Sequence, residues 1–147
     1  MKRFIKCICM VVVIALLMAV PVSAAANQEV SSRSLFYISW SANLYKESST
    51  QFDICFDVMA KDVMVKLGVS EVKVQRSLSG SVWTTIDTLT PSDYPEFMGY
   101  NTDMHMDYIL YTATTGYYYR AYITYYAENS SGDVGITTAY TDIVKLP

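Results

Sequence analysis

The stretch that decides the fold runs from residue 116 to residue 132 and reads GYYYRAYITYYAENSSG. In an extended chain, successive side chains point to opposite faces, so this stretch divides into two sets of alternate residues. The two sets are Tyr117, Tyr119, Ala121, Ile123 and Tyr125, and Tyr118, Arg120, Tyr122, Thr124 and Tyr126. Ala and Ile mark the first set as the buried face, and Arg and Thr mark the second as the outer face. The pattern predicts a β-strand that is ended by the polar turn NSSG.

Alternation of the same kind, interrupted by clusters of Gly, Ser, Asn and Pro, extends over the chain on both sides of this strand. The segments that show this alternation are SLFYISWSANLYK, QFDICFDVMA, SEVKVQRSL, VWTTIDTL, DMHMDYILY and DVGITTAYTDIVKL. With the tyrosine strand they number seven, which predicts an all-β fold, a single seven-stranded antiparallel β-sandwich of the fibronectin type III or immunoglobulin-like kind. The longest predicted connection is TPSDYPEFMGYN, residues 90–101.

The alternation also predicts the core. Tyr119, Ile123, Phe56 and Val74 are expected between two sheets, and both tryptophans, Trp40 and Trp83, are expected among the core residues. In the segment DMHMDYILY, the four larger apolar residues are expected on one face and the three polar residues on the outer face. The apolar set is Met104, Met106, Tyr108 and Leu110, and the polar set is Asp103, His105 and Asp107.

Two stretches carry a resemblance to known proteins. The spacing from Gly116 to Arg120 resembles the sixth strand of fibronectin type III domains, in which a tyrosine near the strand start begins the inward alternation. The stretch VKVQRSLSGSVWTTI, with Gln75, Trp83 and Thr84, resembles a family of short secreted proteins of Gram-positive, Firmicutes-type bacteria, and so do GYYYRAYITYYAENSSG and the signal-peptide-like N-terminus. The match extends over about residues 69–142. It implies a β-sandwich and secretion, and it supplies no catalytic residues.

The N-terminal residues have the features of a secretory signal peptide. MKRFIKCICM contributes three basic residues, VVVIALLMAV is apolar, and PVSAAAN ends in small residues. Cleavage is expected after Ala24 or Ala26, which predicts a signal peptide over 1–26, a flexible segment over 27–34 and a sandwich domain over 35–147. The alternative is a retained membrane anchor. We expect a secreted, extracellular product without a stable membrane anchor.

Charge and cysteine content narrow the expected partners. Loss of the three basic residues in 1–26 takes the formal charge from −3 to near −6, which argues against nucleic acid as a partner. Cys55 is the only cysteine that remains, so no intramolecular disulfide is expected. The thiol is expected to be buried under a loop, to be reactive, or to pair between molecules.

One candidate site is a set of carboxylates around the single histidine. If the second and fifth strands are neighbours, as in sandwiches of this type, their outer faces bring together Asp53, Asp57, Asp103, His105 and Asp107. Oxygen ligands suit calcium and the imidazole suits zinc, so either ion is a candidate cofactor. The alternative is a solvated polar face with no cofactor.

The second candidate is the outer row of the tyrosine strand, formed by Tyr118, Arg120, Tyr122 and Tyr126. Exposed aromatic rings stack on sugars or on partner side chains, and Arg120 adds planar donors suited to a carboxylate. The alternative is that neighbouring long side chains cover the row. No catalytic motif occurs, and a Cys-His pair would need Cys55 beside His105. We expect a non-catalytic binding module for a cell-wall glycan or an extracellular protein, with a secreted effector and a metal-dependent or thiol enzyme as alternatives.

Overall fold

The structure is a computed structural model, and it describes residues 36–147. The predicted signal peptide, its cleavage sites at Ala24 and Ala26, and the segment 27–34 lie outside these residues. The described elements are one short 3₁₀ helix and seven strands. They are β1 (Tyr37–Lys46), β2 (Gln51–Ser77), β3 (Thr84–Leu89), the 3₁₀ helix (Pro95–Phe97), β4 (Met98–Thr112), β5 (Tyr118–Glu128), β6 (Val134–Tyr140) and β7 (Val144–Lys145).

All strand pairings are antiparallel, and β2 connects the two layers of the sandwich. The first half of β2 pairs with β1 on one side and with the second half of β4 on the other. The pairing register with β4 shifts between Met59 and Met64, and the second half of β2 then pairs with β3 and β5. The other side of β5 pairs with β6 and β7. The predicted all-β, seven-stranded antiparallel fold is confirmed.

The core lies between the two layers and is built from the alternate residues that the sequence predicted. Tyr119, Ile123 and Val74 are fully buried, and Phe56 is almost so. The rings of Phe52 in β2 and Tyr119 in β5 lie 5.3 Å apart, so they pack across the two layers. A buried alternate set on each strand is what holds two sheets face to face.

Tyrosine hydroxyls add polar bonds at the margins of this core. The Tyr37 hydroxyl of β1 donates to the carbonyl of Gly135 in β6 over 2.6 Å, and the Tyr125 hydroxyl of β5 donates to the carbonyl of Ser41 in β1. Both bonds connect one layer to the other. The Tyr119 hydroxyl donates to the carbonyl of Thr114 over 2.6 Å and so fastens the start of β5 to the preceding turn.

The inner face of β4 is the reverse of the predicted one. Its register places Ile109 opposite Ile54, and Asp107 opposite Phe56, so the odd-numbered residues of β4 from His105 to Tyr111 face the core. Met106 and Tyr108 are instead more than 60% exposed. The β2 register determines this orientation, because paired residues of adjacent strands point to the same side.

The predicted connection over 90–101 is also shorter than expected. A 3₁₀ helix occupies Pro95–Phe97, and β4 already begins at Met98. Phe97 is fully buried and its ring contacts the Phe56 ring edge-on at 5.4 Å. This segment therefore closes part of the core.

Candidate functional site

The tyrosine strand β5 has the two faces that the sequence predicted. Tyr119, Ala121, Ile123 and Tyr125 are completely buried, and Tyr117 is half-buried against them. The outer residues of β5 are half-buried, because side chains of neighbouring strands pack between them. The outer row therefore exists, and it combines exposed surface with fixed side-chain positions.

The centre of this face is a group of four side chains, Trp83, Arg120, Tyr122 and Tyr140, which we call the aromatic cluster. The guanidinium carbon of Arg120 lies 4.4 Å from the Trp83 ring centre and 4.2 Å from the Tyr140 ring centre. The Tyr122 ring packs on the Tyr140 ring, with 4.7 Å between centres. Contacts of a guanidinium with two aromatic rings fix its position and are themselves attractive.

The hydrogen bonding of Arg120 leaves donors available. Its Nε donates to Oε1 of Gln75 on the adjacent strand β2 over 2.8 Å. Among residues 36–147, the two terminal amino groups of Arg120 make no hydrogen bond. Arginine carries five N–H donors, so a fixed, planar set remains for a ligand.

The two ends of the row differ from its centre. The Lys145 ammonium lies 4.9 Å from the centre of the Tyr118 ring, which adds a second cation to this face. At the other end, the Tyr126 hydroxyl donates to Glu128 over 2.8 Å, and the same carboxylate oxygen binds Lys66 at 2.9 Å. The hydrogen bond from Lys66, followed by that from Tyr126, lowers the pKa of Glu128. Tyr126 is therefore engaged in a surface network, and the ligand-accessible part of the row lies around Arg120.

Two members of the aromatic cluster were missed by the sequence analysis. Trp83 was expected in the core, yet it is half-buried on the outer face beside Arg120. Trp40 was also expected in the core and is exposed, with its ring against Tyr37. The signal for Tyr140 was present in ITTAY, because the small residues of β6 alternate with Ile136, Thr138 and Tyr140 and so mark those three as outward.

The residues of the predicted metal site do not share one face. Asp53 and Asp57 lie on the outer face of β2, whereas His105 and Asp107 lie on the inner face of β4. Nε2 of His105 is 2.9 Å from the carbonyl oxygen of Glu96, and its ring packs on Phe56. Asp103 is exposed near the register shift. Within residues 36–147, no group of three or more His, Cys, Asp or Glu side chains is placed to hold a metal ion. The prediction that these residues share one outer, acidic face is therefore wrong.

A groove on the outer face of the first layer was not predicted. It has a volume of about 470 Å³ and is lined by side chains of β1, β2 and β4. The lining residues are Asn43, Tyr45, Cys55, Phe56, Asp57, Met106, Asp107 and Tyr108. The reversed orientation of β4 creates this groove, because it turns Met106 and Tyr108 outward beside Cys55.

Cys55 is half-buried in this groove and is a free thiol. Burial, followed by the nearby negative charges of Asp53 and Glu47, raises the pKa of the Cys55 thiol. A raised pKa lowers the thiolate fraction at neutral pH and so weakens the thiol as a nucleophile. Cys55 and His105 lie on opposite faces of the sheet, so they do not form a Cys-His pair.

Neither a protein-family model nor a curated protein matches this chain. None of the helices among the described residues is long and apolar enough to span a membrane. The function is therefore inferred from the geometry of the two outer faces.

Proposed function

We propose that this protein is a secreted, non-catalytic binding module whose ligand contacts the aromatic cluster. The observation that carries the proposal is the Arg120 guanidinium, which two rings hold at 4.2 and 4.4 Å while its terminal amino groups stay unpaired within residues 36–147. Such a group binds a carboxylate through two parallel hydrogen bonds. Tyr140 is 54% exposed and offers a ring face for stacking.

The ligand class follows from this combination of a planar cation and aromatic rings. A carboxylate-bearing cell-wall glycan, or an acidic segment of an extracellular protein, presents a carboxylate beside apolar ring or side-chain surface. Lys145, near Tyr118, adds positive charge along the same face. Fixing the donors before binding reduces the entropy lost on association, which favours affinity.

The finer fold assignment belongs to the same proposal. We infer a fibronectin type III or immunoglobulin-like sandwich from two features. One is the bond from the Tyr119 hydroxyl to the Thr114 carbonyl at the start of β5, which matches the tyrosine corner of such domains. The other is the strand order of one layer, in which the first half of β2 lies between β1 and the second half of β4. Domains of this type commonly act as extracellular interaction modules, which agrees with the proposed role by analogy alone.

A binding role is favoured over thiol catalysis by the placement of the two relevant side chains. Cys55 faces outward, whereas His105 faces the core and contacts the Glu96 carbonyl. A general base must reach the proton that it removes, and this pair is separated by the sheet.

The test is a comparison of binding by two arginine variants. The protein, produced from its full coding sequence, is titrated against purified cell wall, carboxylated glycans and extracellular protein fractions. Arg120→Lys keeps the charge and loses the planar donor set, so we expect binding to weaken by about tenfold or more. Arg76→Lys is the matched control, because Arg76 also stacks on a tyrosine, at 4.6 Å from the Tyr117 ring centre, outside the cluster.

Thermal unfolding checks that both variants fold. Binding that is retained by a folded Arg120→Lys protein, or lost equally in Arg76→Lys, contradicts the proposed site.

A further inference from the structure

The groove of the first layer has a chemical character that differs from that of the aromatic cluster. Its base is formed by Cys55 and Asp57 of β2, and its sides by Tyr45 of β1 and by Met106 and Tyr108 of β4. Tyr45 is 56% exposed and Tyr108 is 64% exposed, so both rings project from the sheet surface. A concave site with aromatic sides and few polar groups is the usual form of a small-ligand site.

The pairing register determines the distance between the two rings. Tyr45 is opposite Asp53 and Tyr108 is opposite Cys55, so the tyrosines stand on either side of β2 and two residues apart along it. With strands about 4.8 Å apart and a rise of about 3.4 Å per residue, their Cα atoms are roughly 11–12 Å apart. Two rings at this separation leave room for a compact group over the small Cys55 side chain.

The charged side chains that line the groove are all acidic. Asp57 lines it, and Asp53 and Glu47 lie close enough to act on the Cys55 thiol. None of its lining residues is a lysine or an arginine. The Asp57 carboxylate accepts a hydrogen bond from the Ser41 hydroxyl, and no lysine or arginine lies beside it in the groove lining.

We propose that this groove binds an organic ammonium group, held between the rings of Tyr45 and Tyr108 and neutralised by Asp57. A cation is attracted to the face of an aromatic ring, and quaternary ammonium groups are recognised by several such rings together. Met106 supplies apolar surface for the methyl or methylene groups of the ligand. The thioether and the rings require no hydrogen bond from the ligand, which suits an alkylated ammonium.

A metal ion fits this groove less well, because no group of three or more His, Cys, Asp or Glu side chains is arranged for a metal anywhere in 36–147. An anionic ligand would face the charge of Asp57. The groove and the aromatic cluster lie on different layers, so this inference stands or fails independently of the proposed function.

The test uses Cys55 as a reporter within the groove. The full-length protein is alkylated with iodoacetamide, a neutral reagent, and the rate is measured on the Cys55 peptide by mass spectrometry. The added compounds are choline, n-butylammonium and 3,3-dimethyl-1-butanol, the last of which has the shape of choline without its charge. Sodium chloride at equal ionic strength corrects for the effect of salt.

We expect choline, n-butylammonium or both to slow alkylation severalfold in a saturable manner below about 100 mM, as weak millimolar binding requires. The neutral compound should have little effect. Protection by choline alone identifies a quaternary ammonium ligand, and protection by n-butylammonium alone identifies a primary amine. Equal protection by the neutral compound, or no protection by either cation, overturns the proposal.

Two variants locate the site. Asp57→Asn and Tyr108→Leu should each reduce the protection by about tenfold or more in half-saturating concentration. Tyr100→Leu is the matched control, because Tyr100 is 63% exposed on the same strand and lies outside the groove. Undiminished protection in both groove variants contradicts the assigned residues, and the choline comparison in the unmodified protein does not depend on the folding of any variant.

Discussion

The substitution Ile123→Ala tests the core on which both outer faces depend. Ile123 is fully buried at the centre of β5, between its partners Val72 of β2 and Ala139 of β6. The change removes three carbons, which is worth about 2.4 kcal/mol at about 0.8 kcal/mol for each buried methylene. The cavity that remains adds to this loss, so the total is expected within about 2–5 kcal/mol.

Urea unfolding, followed by circular dichroism, measures this loss. With a slope of roughly 1–3 kcal/mol per M, a loss of about 3 kcal/mol moves the unfolding midpoint down by roughly 1–3 M. The matched control is Ile136→Ala, because Ile136 is 51% exposed on the neighbouring strand β6 and should change stability by less than about 0.5 kcal/mol. If Ile123→Ala costs as little as the control, the assignment of the two faces of β5 is wrong.

Further tests concern two buried tyrosines, a tightly packed glycine and the N-terminus of the mature protein. Burial raises the pKa of Tyr37 and Tyr125 above the usual value of 10.0, so the unfolded chain loses these protons first. The free energy of unfolding should therefore be complete below about pH 10 and fall above it by up to about 1.4 kcal/mol per pH unit for each group. Tyr125→Phe should reduce this slope in urea titrations, and an unchanged slope would count against the buried hydroxyl. Gly68→Ala would place a methyl group 2.1 Å from the carbonyl oxygen of Phe97, so we expect a loss of at least about 1–3 kcal/mol in thermal or urea unfolding, and a fully stable variant would contradict this packing. Mass spectrometry of the secreted protein should find its N-terminus at Ala25 or Asn27, whereas an intact Met1 on membrane-bound protein would contradict the signal peptide.

The sequence predicted the strands whose two faces differ clearly in chemistry. In β5, Ala121 and Ile123 alternate with Arg120 and Thr124, and every alternate residue from Tyr119 to Ala127 is buried. The first half of β2 behaves in the same way, with Phe52, Ile54, Phe56 and Val58 inward. In such strands a shift of one residue would expose an entire apolar set, so the pattern leaves one orientation.

The orientation of β4 could not be predicted, because each of its two faces carries large apolar residues. One face carries Met104, Met106, Tyr108 and Leu110, and the other carries Ile109 and Tyr111 with two polar residues. The structure buries the second face, because its pairing places Tyr111 beside Phe52 and Ile109 beside Ile54. His105 of that face contacts the Glu96 carbonyl in the 3₁₀ segment, whose position is a tertiary feature that local alternation does not encode. Asp107 accepts a hydrogen bond from the Tyr108 backbone N–H through Oδ1, and among residues 36–147 its buried Oδ2 has no hydrogen-bond partner.

The aromatic cluster was only half predictable for a related reason. The outward direction of Arg120 and Tyr122 followed from alternation within one strand. Their neighbours Trp83 and Tyr140 come from the segment before β3 and from β6, so the cluster depends on strand order and register. The same dependence explains why the groove was missed, since it needs β1, β2 and β4 side by side.

The high tyrosine content has a structural reason besides the proposed binding role. Cys55 is a free thiol, so no disulfide connects the two layers within residues 36–147. Tyr37 and Tyr125 each combine a buried ring with a hydroxyl bond to a carbonyl of the opposite layer. A ring of this size buries about 150–250 Å², and its hydroxyl bond fixes the position of one strand over another. Phenylalanine would supply the burial without this directional bond. The inner tyrosines therefore align the two layers, whereas the proposed binding role belongs to the outer face around Arg120.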